Sequence, residues 1–129
     1  MNAITIRCGG LAVPAELGSG PTAHQVWRAL PLEGRANIWG DEIYFEIPLV
    51  AEQEGDARAE VSVGELGYWP VGRAFCIFFG PTPVSVDEKP RAYSPVNILG
   101  RVIGDATLFR IVRNGELVRI EKGAPVGEP

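Results

Sequence analysis

His24 is the only histidine in the chain, so any acid/base or metal chemistry built on imidazole must run through that one residue. It sits beside the apolar stripe of segment 22–30 rather than in it, the position of a solvent-facing side chain. A Ser-His-Asp arrangement would also need a strained Gly-x-Ser-x-Gly elbow or its equivalent, and the sequence has none. A zinc site would have to draw most of its ligands from acids. Cys8 and Cys76 show neither knuckle spacing nor a disulfide framework, and read as reduced thiols. No metal or cofactor is expected. Gly18-Ser19-Gly20-Pro21-Thr22-Ala23, with Asp41 and Glu42 about twenty residues later, imitates a dinucleotide turn. The chain after Leu30 nevertheless reads as strands and turns, so this is a helix entry. Glu42 and Glu46 lie four positions apart on one predicted strand, about 13 Å at about 3.4 Å per residue. Glycosidase pairs need at most about 9.5 Å. The two read as solvated acids, with Glu46 beside Tyr44 able to orient a polar ligand.

The aromatic residues carry more. Trp39, Tyr44, Tyr68, Trp69, Phe75 and Phe78 all fall in predicted strands or at their ends. Tyr68 and Trp69 are adjacent and point to opposite faces, so both cannot enter one core. At least one then lines a groove, and Arg73, Arg91 or Arg101 at its rim would suit a peptide or a small apolar ligand. The plain alternative is that these rings pack a barrel and its plug.

The elements that would position such a groove are short. The chain has 129 residues, one domain's worth, with 16 Gly and 11 Pro predicting many turns. Ile4-Thr5-Ile6-Arg7 and the run 11–17 flank Cys8-Gly9-Gly10 as a hairpin, with Pro14 placing the second strand at an edge or a bulge. Segment 22–30 is the one good helix: Thr22 and Gln25 have capping-box spacing, Ala23, Val26, Trp27 and Leu30 form a stripe, and Pro31 ends it. Over 38–50 the period becomes two, with Ile43, Phe45 and Ile47 on one face and Glu42, Tyr44 and Glu46 on the other. An acidic loop follows at 52–58, and segment 64–70 reads as two short strands around a turn. Segment 74–79 is apolar on both faces, a central strand or one exposed in a pocket. Residues 80–95, with prolines at 81, 83, 90 and 95, form the longest irregular stretch. Segment 96–103 is a further strand, and Asn114-Gly115 predicts a hairpin joining 108–113 to 116–121. About eight strands and one helix argue for a closed or nearly closed β-barrel over residues 1–122, followed by a tail at 123–129.

A formal charge of −4 and a pI near 5.0 oppose the basic footprint of nucleic-acid binding. Neither an export signal nor a membrane-length apolar run is present. A cytoplasmic protein is expected, with no nucleic acid or membrane as partner.

Three segments carry a family resemblance: Asn37-Ile38-Trp39-Gly40-Asp41-Glu42-Ile43-Tyr44-Phe45; then Tyr68-Trp69-Pro70 through Phe75-Cys76-Ile77-Phe78-Phe79-Gly80-Pro81-Thr82-Pro83; then Ser94-Pro95-Val96-Asn97-Ile98-Leu99-Gly100-Arg101. In that order the chain resembles, over essentially its whole length, the small prokaryotic cyclophilin-like family, which has no settled activity. The resemblance implies an eight-stranded antiparallel barrel closed by a helix. Cyclophilins proper are peptidyl-prolyl isomerases, in which an arginine donates to the prolyl nitrogen beside an apolar pocket and so binds the twisted amide best. The Phe-His-Arg segment that supplies this arginine has no counterpart here, and no Gln precedes Phe78-Phe79. The expectation is a cyclophilin-fold protein that binds a peptide or small molecule in an aromatic-lined groove, with weak or no isomerase activity. Its candidate binding residues are Trp39, Tyr44, Glu46, Tyr68, Trp69, Phe75, Phe78 and Asn97. An atypical isomerase using Arg73, Arg91 or Arg101 is the first alternative. The second is a structural domain that buries rings such as Trp69 in a homodimer.

Overall fold

The computed structural model describes residues 2–125. Along them run β1 (Asn2–Cys8), β2 (Leu11–Leu17), helix α1 (Pro21–Ala29), β3 (Leu32–Arg35), β4 (Asn37–Ile38), β5 (Glu42–Glu46), β6 (Arg58–Glu60), β7 (Glu65–Trp69), β8 (Ala74–Phe78), β9 (Arg91–Val102), a 3-10 helix (Ala106–Ile111) and β10 (Leu117–Lys122). The architecture is mainly antiparallel β with one short α-helix. Strand order is β3-β10-β1-β2-β9-β7-β8-β5-β4, with β6 added on β9.

Ten strands replace the eight expected, and the hydrogen-bonded ladder is not the closed ring expected. It ends at β3, paired with β10, and at β4, paired with β5. These two ends are one stretch of chain interrupted only at Ala36. That residue's N–H donates to Glu116 O at 2.8 Å and its carbonyl accepts from Gly115 N at 2.8 Å. Held there, the chain changes partner from β10 to β5, so a bend in the backbone rather than a ladder spans the gap. Phe45 fills it: a Cβ on Gly34 would stand 2.8 Å from Phe45 Cδ2.

Period-two patterning explains most of the interior. Ile4, Ile6 and Cys8 of β1, Val13, Ala15 and Leu17 of β2, and Ile43 and Phe45 of β5 share one core, as the alternation predicts. Pro14 is tolerated because the ladder with β9 begins only at Ala15, while the Pro14 carbonyl still accepts from Ile103 N at 2.8 Å. Farther along, β2 and β9 approach so closely that a Cβ on Gly100 would lie 1.9 Å from Glu16 O. Helix α1 buries Ala23 and Val26, and Leu30 just beyond it, against this core. Its N-cap is Gly20 with no side-chain cap, and Pro21 opens the first turn. The expected Thr22–Gln25 capping box is not made, because Glu54 takes both the Thr22 N–H and its hydroxyl.

Two local expectations fail for the same reason, a partner elsewhere in the chain. Segment 64–70 holds one strand, β7, paired on both sides by β8 and β9. The hairpin about Asn114-Gly115 does not form: a 3-10 helix capped by Asp105 occupies 106–111, and β10 pairs with β1 and β3 instead. Gly115 keeps the positive φ of a turn, at 91°. Of the tail expected at 123–129, residues 126–129 lie outside the described residues.

Strand β8 is buried on both faces. Phe75 and Ile77 enter the main core, while Ala74, Cys76 and Phe78 join a second, outer cluster with Val61, Ala92 and Val96. The outer cluster exists because β6 and the start of β9 fold across the outside of the sheet.

Candidate functional site

The site begins at the tight turn between β4 and β5. Trp39 N–H donates to Glu42 O at 2.9 Å and Glu42 N–H to Trp39 O at 3.2 Å, so the two residues stand opposite each other. Gly40 carries a φ of 59° there, and a Cβ on it would come within 2.9 Å of Thr82 Cα and of Pro83 Cδ. Only glycine fits both demands, the left-handed backbone and the loop packed over it. In the β5–β8 register Glu42 faces Phe78 and Tyr44 faces Cys76. The side chains of Glu42 and Tyr44 therefore leave the sheet on the side away from the barrel core, over the outer cluster.

Ala92 and Val96 of β9 lie on that side too, and a cavity of about 160 Å³ opens between them and Trp39, Glu42, Tyr44, Trp69 and Tyr93. Its walls are edge-to-face ring contacts: Trp39–Tyr93 at 6.1 Å, Tyr93–Trp69 at 6.0 Å and Trp69–Tyr44 at 6.2 Å between centroids. The Trp69 indole N–H donates to Ser94 Oγ at 2.6 Å and so has a fixed orientation. Tyr93, 71% exposed, forms the lip.

Glu42 is the polar group of this pocket. It is 5% exposed, and its Oε1 is buried without a hydrogen-bond partner. Burial pushes its carboxyl up from the ordinary 4.5 to about 7, offset in part by the Cys76 thiol beside it. Burial likewise pushes Cys76 well above its ordinary value, helped by the Glu42 charge beside it, so the sulfur stays a neutral thiol and not a nucleophile. The expectation of solvated acids thus fails for Glu42, which β9 covers, while Glu46 at the far end of β5 is exposed. No Lys or Arg is among the residues lining the cavity.

The structure gathers three of the sequence candidates, Trp39, Tyr44 and Trp69, and disperses the rest. Tyr68 and Phe75 are fully buried in the main core, and the Tyr68 hydroxyl donates to Leu49 O at 2.7 Å and accepts from Ala51 N at 3.2 Å. Phe78 lies buried within the outer cluster. Asn97 is a strut: its amide donates to Thr22 Oγ at 3.0 Å and Glu52 O at 2.9 Å, and its oxygen accepts from Glu54 N at 2.8 Å. Arg73 is exposed in the β7–β8 turn, Arg101 pairs with Glu16 at 3.1 Å, and Arg91 faces Glu60 at 3.7 Å. Sequence reasoning missed Tyr93 and misplaced Glu42. The period-two pattern does set Glu42 beside Tyr44, but nothing local says that residues 92–96 will cover that face.

A second cleft, about 190 Å³, is lined by Arg58, Glu60, Asp87, Lys89 and Arg91 among others. Arg58 is bound at both terminal guanidinium nitrogens by Glu65, at 2.9 and 2.8 Å, so much of this cleft's charge is already neutralised internally.

Among the described residues no helix is long and apolar enough to cross a membrane. No protein of curated function matches the sequence. Among solved structures, a hypothetical protein from Archaeoglobus fulgidus, determined in solution, is 35% identical over 95% of each chain with a TM-score of 0.78. McbB, solved in complex with tryptophan, shares the fold alone: TM-score 0.68 at 17% identity, over 98% of this chain and 46% of that one. A family model described as cyclophilin-like matches residues 2–121. With a match of that extent and a relative of that identity, the chain belongs to the cyclophilin-like family.

Proposed function

We propose that this protein binds a small molecule or a single peptide side chain in the outer aromatic pocket, and that it does so without prolyl isomerase catalysis. The observation that carries the reading is one cavity lined by four aromatic side chains and by Glu42, a buried acid whose Oε1 has no hydrogen-bond partner. A buried acceptor left unpaired costs roughly 1–3 kcal/mol. The volume sets the scale: about 160 Å³ is below the roughly 300–1,000 Å³ of pockets for drug-sized ligands, so one ring or one short head group fits.

Isomerase chemistry must lower a barrier of about 18–20 kcal/mol by stabilising the twisted amide. The cavity holds no guanidinium for that purpose, and Arg73, Arg91 and Arg101 all lie outside its lining. McbB, a fold neighbour, was solved with tryptophan, which adds aromatic amino acids to the compounds worth testing.

Thermal shift and calorimetry with aromatic amino acids, short Xaa-Pro peptides and simple aromatic compounds test the binding. At least one class is expected to raise Tm saturably, and Trp69→Ala to abolish the effect. No shift with any class, or a shift that survives Trp69→Ala, overturns the reading. In a protease-coupled assay the isomerisation rate is expected to stay flat as protein is added. A rate that rises with protein and collapses in Arg91→Ala refutes the non-catalytic half.

A further inference from the structure

The pocket pairs two features that serve a cation. Aromatic faces attract positive charge through their quadrupoles, and most strongly when water is excluded. Glu42 puts a buried acid with an unpaired oxygen in the lining, and no Lys or Arg lines the cavity beside it. The polar second cleft, by contrast, already holds guanidiniums against carboxylates of the same chain.

Resting on the pocket reading above, we infer that the occupant is a small molecule carrying a protonated primary or secondary amine on an aromatic or apolar body, with its N–H directed to the Glu42 carboxyl in the cavity lining. An N–H lets the ammonium donate to the carboxyl, which a quaternary ammonium cannot do. A neutral alcohol of the same shape could donate one hydrogen bond but would leave the charge preference of the rings unused. A charge-assisted bond in a dry site is also about twice as strong as a neutral one.

The groups facing Glu42 sharpen the expectation. On its own strand the neighbour is Tyr44; from β8 comes Cys76; from β9, Tyr93; and Asp41, next in the turn, is directed to Arg110 at 3.7 Å. No positive charge lines the empty pocket, and burial holds the Glu42 carboxyl at about 7. A cation must therefore displace a proton from Glu42 at acidic pH. Only the ionised fraction of the pocket is competent, so apparent affinity should fall on the order of 100-fold from pH 8 to pH 5 while the amine itself stays protonated.

Calorimetry with phenethylamine and with phenethyl alcohol on the unmutated protein, Glu42→Gln and Trp69→Ala tests this. The amine is expected to bind at least about tenfold tighter than the alcohol at pH 8, with the preference erased in Glu42→Gln. The alcohol's affinity should fall far less over the same pH range. The pH series on the unmutated protein tests the same point without any substitution. Equal binding of amine and alcohol, a preference that survives in Glu42→Gln, or a pH-independent amine affinity overturns the ammonium inference. The pocket reading stands in each of those cases as long as Trp69→Ala weakens both compounds. No saturable binding of either compound overturns both. A lysine-containing peptide that binds tighter than phenethylamine overturns the small-molecule source.

Discussion

Two buried polar side chains in this protein are treated in opposite ways. Asn97 is wholly buried and its amide makes three hydrogen bonds, to Thr22, Glu52 and Glu54. Glu42 is almost as buried, yet one carboxylate oxygen has no partner. The first joins helix α1, the acidic loop and β9 into one unit, and it is satisfied because its work is internal. The second belongs to the lining of a cavity walled by aromatic rings, and its unpaired oxygen is the feature an internal role does not explain. Satisfied burial marks a structural part, and unsatisfied burial next to a cavity marks a place for something else.

That contrast breaks first, and most strongly, at Asn97. Asn97→Ala leaves the Glu54 N–H, the Glu52 carbonyl and the Thr22 hydroxyl without this partner and opens a hole. At roughly 1–3 kcal/mol per stranded buried group, a loss of about 4 kcal/mol is expected in denaturant unfolding. A loss under about 1 kcal/mol would deny the strut its role.

Glu42→Gln should behave in the opposite sense. The folded carboxyl titrates near 7 against an ordinary 4.5, so the folded state holds a proton that the unfolded state has released between those values. Stability from this group is therefore full below pH 4.5 and falls as pH rises towards 7. At about 1.4 kcal/mol per pH unit the fall amounts to at most about 3.5 kcal/mol. Glu42→Gln is expected to flatten that slope and to raise stability at pH 8, read from unfolding curves at pH 4.5, 6 and 8. A slope unchanged by the substitution would assign it to another group.

Ser94→Ala gives the smallest change in stability, about 1 kcal/mol or less, because it removes one half-exposed bond to the Trp69 indole. Its effect should instead appear in the pocket, as a shifted tryptophan emission and weakened ligand binding. Unaltered binding would show that Trp69 holds its place by ring contacts alone.

Much of the fold was legible because it rests on local alternation. The inward set Ile43, Phe45 and Ile47, the α1 stripe and the twin faces of β8 all follow from period counting. The 3-10 helix also carries a local signal, since Ala106, Phe109 and Val112 are buried at a spacing of three. Asn114-Gly115 spoke louder, yet a turn signal says only that the chain reverses and not which strand it will pair with. Ten strands rather than eight arise in part where one stretch bends at Ala36 and changes partner, which no window of sequence reports.

The site divides along the same line. The sequence by itself determined that Trp39, Tyr44 and Trp69 belong to strands or their ends, that Glu42 shares a face with Tyr44, and that Tyr68 and Trp69 part to opposite sides. Each is a consequence of a two-residue repeat. Tertiary structure alone decided that this outer face is covered, because the cover comes from Ala92, Tyr93 and Val96, about fifty residues away along the chain. Burial is a property of the assembled molecule, and burial is what turns an ordinary strand glutamate into a carboxyl that titrates near 7.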